Sequence, residues 1–160
     1  RSCIKNGLNV KCNIILGFPE ETNFEVWQTM KFIVKTALLG IHDISIATYS
    51  PYPGSELFNG LQRAGKISEF SDEYFWSSSI YSGVADTVSF SKYISNRMLG
   101  FYRIFGILLF YILSYTVRPW RLFITLCNVF KSRQESRLEM VIRNTLVKLF
   151  SVRGVRTISK

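Results

Sequence analysis

The sequence predicts an α/β protein that continues into an α-helical extension. Two apolar segments, at 10–17 and 43–49, flank a segment with helical periodicity at 22–39, which is the pattern of a strand–helix–strand unit. The charge is also divided, because residues 1–90 contain 7 Lys or Arg and 9 Asp or Glu, whereas residues 91–160 contain 13 and 2. This asymmetry predicts two regions with different partners.

The first predicted strand covers 10–17, with the sequence VKCNIILG. From Cys12 onward it is apolar nearly throughout, as expected for a strand that is covered on both faces in a parallel sheet. The loop GFPE then ends the strand. We therefore expect a buried strand that delivers a loop rich in Gly and Pro to the edge of a sheet.

The segment at 22–39 is a predicted helix with clear signals at both ends. Thr22 is followed by Glu25, which is the spacing of a capping box, and Gly40 suits the left-handed position that ends many helices. The predicted core face is Val26, Trp27, Met30, Ile33, Val34, Ala37 and Leu38.

The second predicted strand, at 43–49, runs into the loop SPYPGS. A strand, a helix and a strand in this order predict a right-handed parallel crossover, so both loops leave the carboxyl edge of one sheet, where α/β folds bind ligands. Two strands do not make a stable sheet alone. The chain also begins without an initiator Met or a secretory signal, so we expect further strands upstream of residue 1 in a longer protein.

Four segments in sequence order resemble a known enzyme core, and the resemblance rests on two motifs at suitable spacing; the segments are NIILGFPEET, DISIATYSPYPGSELF, GKI and SDEYF. Together they are similar to the C-terminal part of the radical S-adenosylmethionine (radical SAM) core. The resemblance covers roughly residues 7 to 76. Within this family, the sequence is most similar to the branch whose members have an upstream cobalamin-binding (B12-binding) domain. That branch includes anaerobic magnesium-protoporphyrin ester cyclases and hopanoid-modifying enzymes.

The resemblance implies a domain division and a set of cofactors. Residues 1–66 would be the last βαβ portion of a partial (β/α) TIM-like barrel, 67–90 a connecting segment, and 91–160 a basic helical extension. The parent enzyme would use S-adenosylmethionine, a [4Fe–4S] cluster and cobalamin to act on an unactivated carbon of a lipid-like or tetrapyrrole-like substrate. The CxxxCxxC motif that holds the cluster is not in this sequence, so the chain is not expected to be active alone.

The resemblance also implies four cofactor-binding positions, with no catalytic residue and no metal ligand in this chain. Ile15 and Gly17 would be an apolar wall and a close backbone approach beside the adenosyl group, and Tyr49 and Ser50 would border the same site. The alternative is that these are ordinary core and turn residues. Glu20 departs from the family, which usually has Gly there, so the local turn is expected to differ.

The second half contains a long apolar segment at 98–117 that is interrupted by Arg103 near its start. Its length suits a bilayer span only if Arg103 extends to the headgroup level, whereas Pro119, between two Arg residues, predicts a corner between two helices. Three arrangements remain open: a helical hairpin lying on the membrane, a true span, and burial against other domains. The first predicts a protein of the cytoplasm that is peripheral or monotopic at the inner face of the membrane.

The segment at 135–150 is a predicted amphipathic helix with basic residues outside its apolar stripe. Membrane-surface association through 98–150 is the expected partner interaction. Nucleic acid is not expected, because the aromatic residues lie within Ile- and Leu-rich runs rather than within polar frames. A second hypothesis for the whole chain is a noncatalytic module that associates with membranes or with other proteins.

Overall fold

The computed structural model describes residues 2–67, 74, 87–130, 138–140, 142 and 144. The strands are β1, Lys11–Leu16, and β2, Asp43–Thr48. The helices with defined bounds are α1, Ser2–Lys5; α2, Asn23–Leu39; α3, Glu56–Arg63; α4, Asn96–Val117; and α5, Trp120–Phe130. The two strands are parallel, in a register that runs from Lys11 opposite Asp43 to Leu16 opposite Thr48. The predicted strand–helix–strand unit with parallel pairing is therefore confirmed.

Helix α2 has the ends that the sequence predicts. The Glu25 amide donates to the Thr22 hydroxyl, and the Glu25 carboxylate accepts the Thr22 amide at 2.7 Å, which completes the capping box. Gly40 ends the helix with a φ of 91°. The predicted core face is only partly right, because Val26, Met30, Ile33 and Ala37 are buried whereas Trp27 and Leu38 are about half exposed.

Among the described residues, the long helices cover only one face of the sheet, whereas the sequence predicts a strand that is buried on both faces. Ile14 and Leu16 of β1 and Ile44 and Ile46 of β2 pack against α2 and α4. Ile15 points to the other face and is 51% exposed. The reason is that both long helices lie on the same side of the sheet, so the alternate side chains of β1 point away from them and are exposed or only partly buried.

A smaller apolar cluster lies beside α3. Its buried members are Phe58, Leu61, Ile67, Tyr74 and Phe90, with Tyr49 packed against them. The Tyr74 hydroxyl donates to the Pro51 carbonyl, so the cluster is joined to the loop after β2. Most of the connecting segment at 67–90 lies outside the described residues.

Helix α4 is part of the core, and Arg103 does not extend to its end. This residue is only 2% exposed, and its guanidinium donates to the Ile46 carbonyl at 3.3 Å and to the Thr87 hydroxyl at 3.1 Å. Asp43 and Tyr49 donate their amides toward β1, so the Ile46 carbonyl points to the opposite edge of β2. Arg103 therefore covers the outer edge of β2.

A second polar contact joins α4 to β2 near the far end of the helix. The Tyr111 hydroxyl donates to Asp43 Oδ1 at 2.6 Å, and Lys11 Nζ lies 3.5 Å from Asp43 Oδ2. Burial, together with this carboxylate, raises the pKa of the Tyr111 phenol above its ordinary value. Helix α4 thus contacts the sheet along most of its length.

The corner between α4 and α5 holds the end of α2. Arg118 donates to the carbonyls of Ala37 and Leu38, at 3.1 and 3.0 Å. Arg121 donates to the carbonyls of Gly40 and Ile41, at 2.7 and 2.8 Å. These carbonyls lie at the end of α2, where helical partners are missing and where cations are favourable. The predicted corner at Pro119 is confirmed, and its arginines bind protein groups.

Helix α4 is long and apolar enough to cross a membrane, and no other helix of the described residues passes this test. Of its most apolar 18-residue window, 39% is buried within the protein. A core helix of a soluble protein has the same length and composition, so this finding does not establish a span. Of the predicted helix at 135–150, the described residues 138–140 are helical, and Leu138 packs against the main core.

Candidate functional site

The loops after β1 and β2 meet at the carboxyl edge of the sheet. The Tyr49 amide donates to the Leu16 carbonyl at 2.7 Å, which extends the strand pairing into the second loop. The rings of Phe18 and Tyr49 lie 4.9 Å apart, so the two loops are also in side-chain contact. The meeting of both loops at one edge, which the sequence predicts, is confirmed.

The loop GFPEE is held by its own carboxylate. Gly17 has a φ of 88°, which favours Gly, and its amide donates to the Glu21 carboxylate. The Phe18 amide donates to the same oxygen at 3.3 Å. Burial raises the pKa of Glu21, while the two amide donors act in the opposite direction. Glu21 therefore fixes the turn that presents the end of β1.

The predicted wall residues lie as follows. Ile15 is on the uncovered face of the sheet, opposite Ala47 in the register. Tyr49 follows β2 and packs against Phe18 and the smaller apolar cluster, and burial raises the pKa of its phenol. Ser50 follows it and is half-buried. The structure thus places Ile15 on the exposed face of β1 and Tyr49 in contact with the loop after β1 and with the smaller cluster.

The close approach at Gly17 is a packing contact on the helical side of the sheet. A Cβ atom added to Gly17 would lie 2.7 Å from Cδ2 of Leu99, near the start of α4. This distance is shorter than real Cβ contacts, so the glycine is required by α4 as well as by the backbone conformation. The sequence predicts that the Gly17 backbone lies close to a nucleoside. On the helical side of the sheet, the group that lies close to Gly17 is the Leu99 side chain.

Residues 91 and 92, which precede α4, bind the GFPEE loop, and we call this pair the Lys92 clip. The Lys92 amide donates to the Pro19 carbonyl at 3.0 Å, and the Lys92 ammonium lies 2.6 Å from the Glu20 carboxylate. The Ser91 hydroxyl donates to the Glu21 carbonyl at 2.9 Å. Glu20, the position at which the sequence departs from the family pattern, therefore has a partner in this chain. Sequence reasoning missed the clip because its partners are 70 and 72 residues apart.

A cleft of about 320 Å³ lies between this clip, the GFPEE loop and α3. Its polar lining includes two carboxylates and three cations, and its apolar lining includes Leu57, Leu61 and Phe90. The charged residues are Glu20, Glu56, Arg63, Lys66 and Lys92. This cleft can hold a small molecule that has both an apolar part and charged groups.

The described residues contain no group of three or more His, Cys, Asp or Glu side chains that would hold a metal ion. Cys3 and Cys127 are exposed and Cys12 is partly buried, all as free thiols. Nδ1 of His42 accepts the Val10 amide at 3.2 Å. The donor set of an iron–sulfur cluster therefore does not fit the described part of this chain, and any cluster would take its ligands from elsewhere.

The fold and the site define a small α/β protein, built on one parallel strand–helix–strand unit whose loops converge at the carboxyl edge. No protein-family model, curated protein or solved structure matches the chain. The radical SAM resemblance, including its barrel and its cofactors, stays a prediction.

Proposed function

We propose that this chain forms the adenosyl side of a radical SAM enzyme, as the last βαβ portion of a partial (β/α) TIM-like barrel. The observation that carries the proposal is the uncovered sheet face at the carboxyl edge. There Ile15 is half exposed beside the Gly17 turn, and Tyr49 begins the loop that follows the neighbouring strand. In α/β folds, this edge is where ligands bind.

The chemistry of this face suits a nucleoside. An adenine ring is planar and apolar on its faces, and Ile15 and Tyr49 offer it an aliphatic and an aromatic surface. Gly17 and Glu21 hold the loop so that Ile15 is presented from an ordered strand end. Ser50 is the fourth proposed contact, through its hydroxyl. In this proposal the uncovered face of β1 and β2 is the inner face of the barrel.

The proposed parent enzyme would bind a [4Fe–4S] cluster, S-adenosylmethionine and cobalamin, with the cluster ligands outside this chain. These groups supply the radical chemistry, and this chain supplies binding and orientation. We propose a lipid-like or tetrapyrrole-like substrate with an unactivated carbon, and a location in the cytoplasm at the inner face of the membrane. The support for this substrate class is the large exposed apolar area on α4 and α5.

The test is S-adenosylmethionine binding by the complete gene product, reconstituted without oxygen and measured by calorimetry. We expect Ile15→Asp to weaken binding by about tenfold or more, since an apolar wall would become a charge facing the ligand. Leu8→Asp is the matched control, because Leu8 is also more than half exposed but precedes β1. It should leave the affinity within about twofold. The proposal also requires a CxxxCxxC motif encoded upstream of this chain.

Absence of that motif, or equal affinities for the two variants, would remove the enzyme proposal. The second candidate, a noncatalytic module that binds a membrane or a protein, would then take its place. It is favoured by a separate observation, the apolar outer side of α5. Only the enzyme candidate predicts an upstream CxxxCxxC motif and S-adenosylmethionine binding. Both candidates are compatible with membrane binding, so that measurement alone does not distinguish them.

A further inference from the structure

Helix α5 has its polar and apolar sides reversed relative to a helix on a water-soluble protein. The side chains that face the protein are polar: Arg121, Thr125 and Asn128. The Thr125 hydroxyl lies 3.2 Å from the Tyr115 hydroxyl, and the Asn128 amide donates to Glu139 at 3.1 Å. A surface helix in water normally buries its apolar stripe and exposes its polar one.

The rest of the surface of α5 is largely apolar and exposed, and within it we define the apolar face as Trp120, Phe123, Ile124 and Cys127. These positions recur at helical spacing, and all four are exposed. Phe123 is 70% exposed, the highest value among the exposed large apolar side chains of the described residues. Exposed apolar area of this extent marks an interaction surface.

The outward side of α4 continues this character. Its exposed residues Phe101, Ile104, Leu108 and Ile112 follow one another at intervals of three or four. The residues that α4 turns inward include the polar Arg103 and Ser114. Helix α4 differs from α5 on its inner side, where it packs Leu99 and Phe110 into the core beside the polar Arg103 and Ser114. The two helices share an apolar outward side, which is the feature expected of a surface that contacts lipid.

We propose that the apolar face of α5 lies on the surface of an anionic lipid bilayer, with α5 parallel to the membrane plane and α4 not crossing it. The charge that follows α5 in the chain favours this occupant. Residues 131–160 contain 8 Lys or Arg and 2 Glu, so the segment directly after the apolar face is strongly basic. Basic residues beside an apolar face are attracted to anionic headgroups while the apolar side chains enter the acyl boundary.

The packing of α4 argues against a span. Arg103 is bonded to the edge of β2, and Tyr111 is bonded to Asp43, which also lies beside Lys11. If α4 crossed a bilayer, this edge and these charges would enter the hydrocarbon core, which is strongly unfavourable. A second copy of the chain is the rival occupant, but it would bring two basic segments of like charge together.

This inference does not depend on the adenosyl site, and its test uses the full chain of 160 residues. The chain is mixed with phosphatidylcholine vesicles, either alone or with about 30 mol% phosphatidylglycerol. We expect flotation with the anionic vesicles, a loss of binding as NaCl rises to about 0.5 M, and little flotation with the neutral vesicles.

Phe123→Asp should lower partitioning into the anionic vesicles by about tenfold or more. Phe24→Asp is a close control, because Phe24 is 69% exposed, against 70% for Phe123, but lies at the start of α2. It should change partitioning by less than about twofold. Circular dichroism of both variants verifies that each retains its helices. Equal partitioning of the two variants would overturn the proposal.

Depth is measured with an environment-sensitive fluorophore on single-cysteine variants. A label at Cys127 should shift its emission to the blue on anionic vesicles and be quenched more by shallow than by deep doxyl lipids. A label at Cys3, which is exposed elsewhere, should not respond. Stronger quenching by the deep probe would overturn the surface orientation. A dimer that Phe123→Asp dissociates, without any vesicle binding, would assign the apolar face to a second copy instead.

Discussion

At the scale of single residues, the main finding is the position of Arg103. Its charge falls near the start of an apolar segment, which by sequence favours a side chain that extends toward water. Instead, its guanidinium donates to the Ile46 carbonyl, 57 residues earlier in the chain. A free carbonyl at the edge of a buried strand needs a donor, and Arg103 supplies it.

We predict that Arg103→Met lowers the free energy of unfolding by about 2 kcal/mol. Methionine fills much of the same volume, but it leaves the Ile46 carbonyl without this donor, and a buried unsatisfied group costs about 1–3 kcal/mol. Arg97→Met, on the exposed side of the same helix, should change stability by less than about 0.5 kcal/mol. Urea unfolding of both variants measures the difference, and equal midpoints would contradict the assigned role of Arg103.

At the scale of elements, the contact of α4 with α2 and β2 depends on a small residue. A Cβ atom at Gly106 would lie 2.7 Å from Cδ1 of Ile46 and 3.1 Å from Cδ1 of Ile33, both of which are buried. At Gly100, in the same helix, the nearest atom would be 3.6 Å away, which is an ordinary contact. Of the two glycines in α4, Gly106 is therefore the one at which the helix packs closely against the sheet.

The two glycines give a matched pair of predictions with opposite signs. Alanine is favoured over glycine within a helix by about 1 kcal/mol, so Gly100→Ala should stabilise the protein by up to that amount. At Gly106 the same gain is outweighed by overpacking, which costs about 1–3 kcal/mol, so Gly106→Ala should be destabilising by about 1 kcal/mol. Thermal or urea unfolding decides, and a stabilising Gly106→Ala would refute the close approach of α4 to the core.

At the scale of the whole molecule, the local features were predictable and the long-range ones were not. Thr22 and Glu25 lie within one helical turn, so the sequence predicts the start of α2, and the parallel pairing follows from the order of its segments. The uncovered face of the sheet was not predicted. An apolar strand such as β1 has the same sequence pattern whether one or both of its faces are covered. At the candidate site, the meeting of the two loops was predictable from the order of strands and helix. The Lys92 clip was not predictable, because its partners are 70 and 72 residues apart in the sequence.

We also predict that residues 1–67 do not fold alone. The main core combines the strands and α2 with Leu99, Tyr102 and Phe110 of α4. Without α4, part of the apolar side of the sheet would be exposed to water. A small two-stranded unit with one helix buries too little other apolar surface to offset this loss of stability. Hydrogen exchange should show protected amides in β1 and β2 of the full chain and little protection in the fragment. Comparable protection in both would show that α4 is dispensable.

The contact of Arg103 with the outer edge of β2 affects the newly made chain during its synthesis. During synthesis, Arg103 is added 57 residues after Ile46, and translation at about 5–20 residues per second makes this delay roughly 3 to 11 s. Throughout that interval the outer edge of β2 lacks the group that later covers it, and exposed strand edges pair readily with other strands. The newly made chain is therefore most vulnerable to wrong pairing before its second half leaves the ribosome.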